Sequence, residues 1–323
     1  MSFISVLFAL LLEQARPLQR GNAVHAALRA WVRWCSRNLD AGQRVHGWLA
    51  WSAAVGVPAV LALGIYWLLG LLLGWPVALL WNALVLYAAL GFRQFSFHFT
   101  RIRDALADSD DALARRLLDD WQHLQAHDMQ RSALIGQVIE VSVLAAHRHV
   151  FGVLAWFSVL AALGLGPAGA VLYRLSEFVA RYWQHQSQSH YQSVSAALQS
   201  RANQVWQRVD WLPARMTALS FAVVGNFEEA IDGWRGYMQR SDSHNDGLVL
   251  AATAGAVNID LTASQSTKPA SVNESAGDKD AASVSGRPAP DLAHLAVVVG
   301  LVWRTVVMWV VLLALLTLAR LLG

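Results

Sequence analysis

Asp119, His123 and His127 recur at four-residue steps, with Asp120 beside the first of them. On a helix that spacing puts a carboxylate and two imidazoles on one face. Such a set can hold a hard or borderline divalent ion. The competing reading, a solvated and salt-bridged helix face, is the commoner use of such pairs and is preferred. Glu140 stands between Ile139 and Val141 in an otherwise apolar stretch. A carboxylate there either serves as an acid or base with a raised pKa or pairs with an arginine. Its residue type leaves both open.

His147-Arg148-His149 forms a second cluster. Its two histidines are about 200° apart on a helix and cannot chelate one ion together. Arg148 could take a phosphate bidentately, but a positive anchor at the membrane boundary just before Phe151 is the preferred reading. His185 and His190 fall on different faces and make only a weak case. After His244 comes a run of small residues containing Asn245, Gly247, Ala251, Ala252, Ala254, Gly255 and Ala256. Small residues let backbone approach a phosphate or another helix closely, and the two readings stand level. No Gly-Lys-Ser/Thr follows, so this is not a P-loop. No serine-hydrolase order and no His-Glu-x-x-His occurs.

The elements that must position these groups are lipid-soluble. Of 323 residues, 55% are hydrophobic and 15% charged, against about 25% charged in soluble domains. A spanning helix needs about 20 mostly apolar residues. Trp48–Trp75 meets that test, and the shorter Pro76–Phe92 follows it, so 48–92 reads as a helical hairpin turned at Trp75-Pro76. Phe151–Leu165 ends in Gly166-Pro167-Ala168-Gly169 and is followed by Ala170–Trp183. That last stretch carries Arg174, Glu177 and Arg181, so it packs on its neighbour or lies in the interface. Together, 151–183 make a second apolar hairpin. Leu292–Leu322 is the final span, and the count is four or five. Phe3–Leu12 reads as a buried or re-entrant helix rather than a signal peptide, because it lacks a basic start.

Residues 13–47 hold Arg16, Arg20, Arg29, Arg33, Arg37 and Arg44 against Glu13 and Asp40. The positive-inside rule puts this segment and the main loops in the cytoplasm. The polar segments read as amphipathic helices: Arg101–Asp128 with a break at Ser109 or Asp110, Ala133–Ala146, Ser193–Arg208, a helix starting near Pro213, and Phe227–Met238. Residues 264–291, poor in apolar side chains, read as a disordered linker. The fold class is all-α: a multi-pass integral membrane protein of one domain, 1–263, interrupted by the linker and completed by 292–323. One cysteine, Cys35, excludes disulfide frameworks and Cys-cluster metal sites. Lysine occurs only at Lys268 and Lys279, and no basic–aromatic module suggests nucleic acid. A transporter would need paired broken helices, and no internal pair is evident.

Several motifs in this order resemble the CobD/CbiB family of membrane proteins and its signalling relative AmpE. They are Leu10–Glu13, Tyr87–Arg93 leading to His98, Ala114-Arg115-Arg116, Asp210–Ala218, His244–Gly247 with Ala251–Ala256, and Leu301–Arg304. The family's enzymes form an amide between an aminopropanol arm and adenosylcobyric acid in cobalamin synthesis, using ATP and Mg²⁺. That resemblance makes Mg²⁺ and ATP the cofactors if the chemistry survives; no cofactor is expected otherwise. The family's acidic motifs are altered. Glu140 matches the first acid only with a shift of register. The family's Glu-Asn position reads His147-Arg148, and its Asp-Gly position reads Phe151-Gly152. The Asn-Thr-Leu-Asp-Ser stretch becomes Ser176–Ala180 after Tyr173-Arg174, and the Val-Gly-Arg-Asp motif is absent or has become Asp120–His123.

Mg²⁺ is usually held by carboxylates and substrate phosphates. Losing the acids therefore points to a catalytically degenerate member that binds or signals. On that reading the bilayer and a phosphate-bearing or anionic small ligand are its partners. Arg215, His244, Asn245 and Arg304 form a cytoplasmic-side pocket, with His98 and Arg148 as further ligand contacts. The alternative is a working adenosylcobinamide-phosphate synthase-like enzyme, with Glu140, Asp119, Asp120 and Glu177 converging on one cavity.

Overall fold

The computed structural model describes residues 2–15, 23–40, 44–122, 129–188, 194–240, 243–261 and 286–322. Every regular element among them is helical: α1 (Ser2–Ala15), α2 (Ala23–Leu39), α3 (Arg44–Trp51), α4 (Val57–Leu72), α5 (Trp75–Ala89), α6 (Phe92–Ala107), α7 (Asp111–Gln122), α8 (Arg131–Ala146), α9 (Gly152–Ala162), α10 (Ala168–Gln188), α11 (Ala196–Val224), α12 (Phe227–Met238), α13 (Asn245–Val257) and α14 (Leu292–Leu322). Two π turns, Ser52–Gly56 and His147–Phe151, join α3 to α4 and α8 to α9. Three helical stretches are long and apolar enough to cross a membrane: His46–Leu72, Arg131–Ala162 and Leu292–Ala319. The helices α1 and α5 are apolar but shorter. The protein is thus an all-α, multi-pass membrane type.

Local chemistry sets the helix ends. Gly74 adopts φ +88, which breaks the backbone between α4 and α5. Pro76 then occupies the first turn of α5, where its missing N–H costs nothing. Ser109 turns left-handed at φ 60, and Asp110 Oδ1 accepts the Leu113 N–H at 2.9 Å to open α7. Asn226 does the same for α12 through the Glu229 N–H. On α8 the apolar residues run all round rather than along one stripe, and Leu134–Val143 is wholly buried. A helix apolar all round belongs inside.

Backbone contacts divide the chain into two compact units. The first comprises Met1–Arg93, His147–Ala214 and Trp309–Gly323. In it α5 packs on α1 and α4, and α10 packs on α4, α5 and α9. Trp81 Nε1 donates to Ala62 O at 3.0 Å and ties the α4–α5 hairpin. Gly169 touches the Trp156 carbonyl so closely that a Cβ would stand 2.1 Å from it. The second unit comprises Gln94–Ala146 and Arg215–Met308. Its densest packing is α12 on α13, with α8 against both α7 and α13.

Three expectations need correction. The helix Ala133–Ala146 and the run Phe151–Leu165 are one continuous rod, Arg131–Ala162, passing through His147-Arg148-His149 as a π turn. The polar triplet reads as a boundary in sequence, but His147 is fully buried and has a partner 63 residues away. Likewise Ser193–Arg208 and the helix at Pro213 are one helix, α11, with Pro213 inside it. The expected linker, 264–291, lies mostly outside the described residues. Its end, 286–291, is packed: Arg287 pairs with Glu229 at 2.8 Å, and the Asp260 N–H donates to Pro288 O at 3.0 Å.

Candidate functional site

The first unit contains a buried polar centre built from three helical segments. His147 opens the π turn, Tyr173 sits mid-α10 and Asp210 mid-α11. His147 Nε2 lies 3.0 Å from Asp210 Oδ1, and the Tyr173 hydroxyl donates to the same oxygen at 2.8 Å. His147 and Tyr173 are fully buried and Asp210 is 1% exposed. A carboxylate so placed must be paired to remain inside. Asp210 Oδ2 is buried with no hydrogen-bond partner among the described residues.

The neighbouring sequence makes room for this centre. A Cβ on Gly152 would stand 2.0 Å from the Tyr173 ring, so only glycine lets the phenol reach Asp210. Trp206, one turn before Asp210, covers Tyr173 with ring centroids 5.2 Å apart. Pro213 has no N–H to give the Val209 carbonyl four residues earlier. Trp156 Nε1 supplies that bond instead, at 2.8 Å. The proline therefore docks the Asp210 turn onto α9. One turn beyond Tyr173, Glu177 is clamped by Arg174 at 2.6 Å and Arg181 at 2.8 Å. Glu177 is thus held by two arginines of its own helix, which leaves α10 with a net positive charge.

The residues singled out in sequence are placed as follows. Glu140 is buried, 1% exposed, within α8. His98 is half-buried and stacks on Trp121 at 5.6 Å, with ring planes 10° apart. Arg215 is half-buried on α11, and loss of hydration holds its guanidinium below its ordinary pKa. His244 is exposed, its N–H donating to the Tyr237 hydroxyl at 3.0 Å. Asn245, next in the chain, is buried as the first residue of α13. Arg304 is exposed and donates to Gly300 O on its own helix. Arg148 is half-buried in the π turn. Asp119 is half-buried and Asp120 exposed on α7, while His123 and His127 lie outside the described residues. The small-residue run after His244 serves helix packing: a Cβ on Gly255 would meet the Glu229 carbonyl at 2.1 Å.

The Mg²⁺ that the family resemblance implies would need one or two carboxylates with free oxygens, beside substrate phosphates. Among the described residues no three His, Cys, Asp or Glu side chains stand close enough to hold a metal ion. Both Glu177 oxygens are taken by arginines, and Asp210 Oδ1 takes two donors. Glu177 therefore has no oxygen left for a metal ion, and Asp210 keeps only its buried Oδ2. The arrangement can instead fix helix register and hold a proton among imidazole, phenol and carboxylate.

Reading the sequence did not single out this centre. In sequence His147 reads as an anchor, and Asp210 and Tyr173 stand only within longer motifs. The signal that was present is α8 itself, whose unbroken apolar periphery requires any polar residue continuing it to be paired.

The family model described as "CobD/Cbib protein" matches residues 6–295. A Stutzerimonas stutzeri protein named "Cobalamin biosynthesis protein CobD" is 30% identical over 275 residues, which is 84% of this chain and 82% of that protein. A Chromobacterium violaceum protein of the same name is 32% identical over 191 residues, 58% of this chain and 54% of its own. A Leptospira interrogans protein, also so named, is 26% identical over 61% of this chain and 58% of its own. No solved structure matches. Segment order, helical fold and a match over nearly the whole length agree, and the chain belongs to the CobD/CbiB family.

Proposed function

We propose that this protein is a catalytically degenerate, ligand-binding member of its family, embedded in a bacterial inner membrane with its arginine-rich segment and main loops in the cytoplasm. One observation carries the reading. The buried carboxylates of α10 and α11 are occupied by the protein's own donors: Glu177 by two arginines, Asp210 by His147 and Tyr173. With three of the four oxygens held by internal donors and only Asp210 Oδ2 left, this pair has little capacity to neutralise a magnesium–nucleotide complex. What remains suits an anion. Arg215, His244 and Asn245 belong to the second unit together with Arg304, and they offer guanidinium, imidazole and amide donors. A phosphate-bearing small molecule is the ligand class, and its occupancy is what a signalling component would report.

The relatives' names support a second reading. A protein called a cobalamin biosynthesis protein shares 30% identity over most of both chains, so a divergent amide-forming synthase using ATP and Mg²⁺ is its alternative. Complementation separates the two. A strain lacking its adenosylcobinamide-phosphate synthase is given this gene and grown where cobalamin is required. The degenerate reading expects no growth above vector although the protein is present in the membrane fraction. Restored growth, abolished by Glu140→Gln, overturns it in favour of the enzyme.

A further inference from the structure

The hairpin formed by α4 and α5 carries a groove of about 450 Å³, within the roughly 300–1,000 Å³ of ligand pockets. Tyr66, Trp67, Leu71, Trp75, Leu79 and Asn82 line it, and no charged side chain does. It opens beside the surface of a membrane-crossing helix, where Leu68, Leu71 and Leu72 are all exposed. Hydrocarbon, not water, meets such a face. Asn82 brings a side-chain amide to this lining. It is 6% exposed, and its Oδ1 has no hydrogen-bond partner among the described residues. An unmet amide in an apolar setting is costly, since no water competes to satisfy it.

The position of Asn82 selects the ligand. It lies seven residues past Trp75, or about 10 Å along α5 at 1.5 Å per residue. Trp75 opens α5 at the hairpin turn and is 60% exposed, as a side chain at the lipid–water boundary would be. A phosphate headgroup drawn 10 Å below that boundary into an uncharged groove would lose its hydration without gaining a counter-charge. A single hydroxyl has no such penalty. It donates to Oδ1 and accepts from Nδ2 of the same amide, satisfying both ends of Asn82 at once. We propose that the α4–α5 groove binds a neutral lipid bearing a free hydroxyl, of the diacylglycerol class, with its hydroxyl on Asn82 and its chain along Tyr66, Leu71 and Leu79.

The full-length protein in phosphatidylcholine nanodiscs tests this with two probes that carry the same acyl-chain diazirine, one a diacylglycerol and one a phosphatidylcholine. Diacylglycerol is expected to label the 66–82 hairpin, and unlabelled diacylglycerol to compete where equal phosphatidylcholine does not. Asn82→Leu should lower that labelling by about five- to tenfold, the effect of one hydrogen bond, and Ala78→Trp should abolish it by filling the groove. Equal labelling by both probes, or labelling that ignores the competitor, means an annular tail and overturns the proposal. So does full labelling of a folded Asn82→Leu protein. The wild-type competition stands even if a variant fails to insert.

Discussion

Asp210 accepts from two donors on two other helical segments, so it is where one atom change should reach furthest. Removing one partner of a buried hydrogen-bonded charge leaves the other unpaired, which costs about 3–5 kcal/mol. Asp210→Ala is expected to lower stability by about that much, and Tyr173→Phe by about 1.5–3 kcal/mol, because one hydrogen bond to a charged group is lost. Thermal unfolding in detergent followed by tryptophan fluorescence measures both. Equal, small effects would mean that His147 and Tyr173 contribute nothing through Asp210. Cys35 gives a second test at this scale. Burial pushes its thiol up to about 11. At pH 7.5 roughly one thiol in 3,000 is then ionised, about 300-fold less than a free cysteine of pKa 8.5. Iodoacetamide should leave the folded protein unmodified at pH 7.5 and modify it fully after denaturation. Because this pKa is raised on folding, its contribution to stability is present below pH 8.5 and is lost as pH climbs toward 11. Fast alkylation of the native protein would show that folding does not shield the thiol.

Helix ends that depend on a residue's own neighbours are readable from sequence: the break at Ser109 or Asp110 before α7, the start of α12 at Phe227, and the turn at Trp75-Pro76 between α4 and α5. Helix continuity is not. The joins at His147–Phe151 and at Pro213 look like breaks because each needs a partner distant in sequence, Asp210 for the first and Trp156 for the second. The same distance hid the buried centre, while the candidates that stood out, such as Asp119 and His244, sit on half-buried or exposed helix positions. The second join is testable as a pair. Trp156→Phe strands the Val209 carbonyl and should cost about 1–3 kcal/mol. In a Pro213→Ala background an ordinary backbone N–H can take that carbonyl, so the same change should cost much less. A coupling of about 1 kcal/mol in the double-mutant cycle is expected. Additive costs would show that the indole and the proline act independently.

Across the whole molecule, the three crossing stretches differ in how much protein surrounds them. In the most apolar part of His46–Leu72 only 17% is buried within the protein, against 39% in Leu292–Ala319 and 56% in Arg131–Ala162. Length alone does not explain this order. At 1.5 Å per residue Arg131–Ala162 is about 48 Å long, well beyond the ~30 Å hydrocarbon core, yet it is the most sheltered. Composition does explain it. Arg131–Ala162 carries buried Gln137, Glu140 and His147, which lipid would reject, whereas Val57–Leu72 carries no charge at all. Shelter from lipid therefore follows the polar residues each stretch must hide. A membrane-partitioned carbene reagent reads this directly when the labelled peptides are mapped. Labelling per residue is expected to fall from His46–Leu72 through Leu292–Ala319 to Arg131–Ala162. A reversed order would mean that Glu140 and His147 face the bilayer or an aqueous cavity, and that the buried centre does not exist in the membrane.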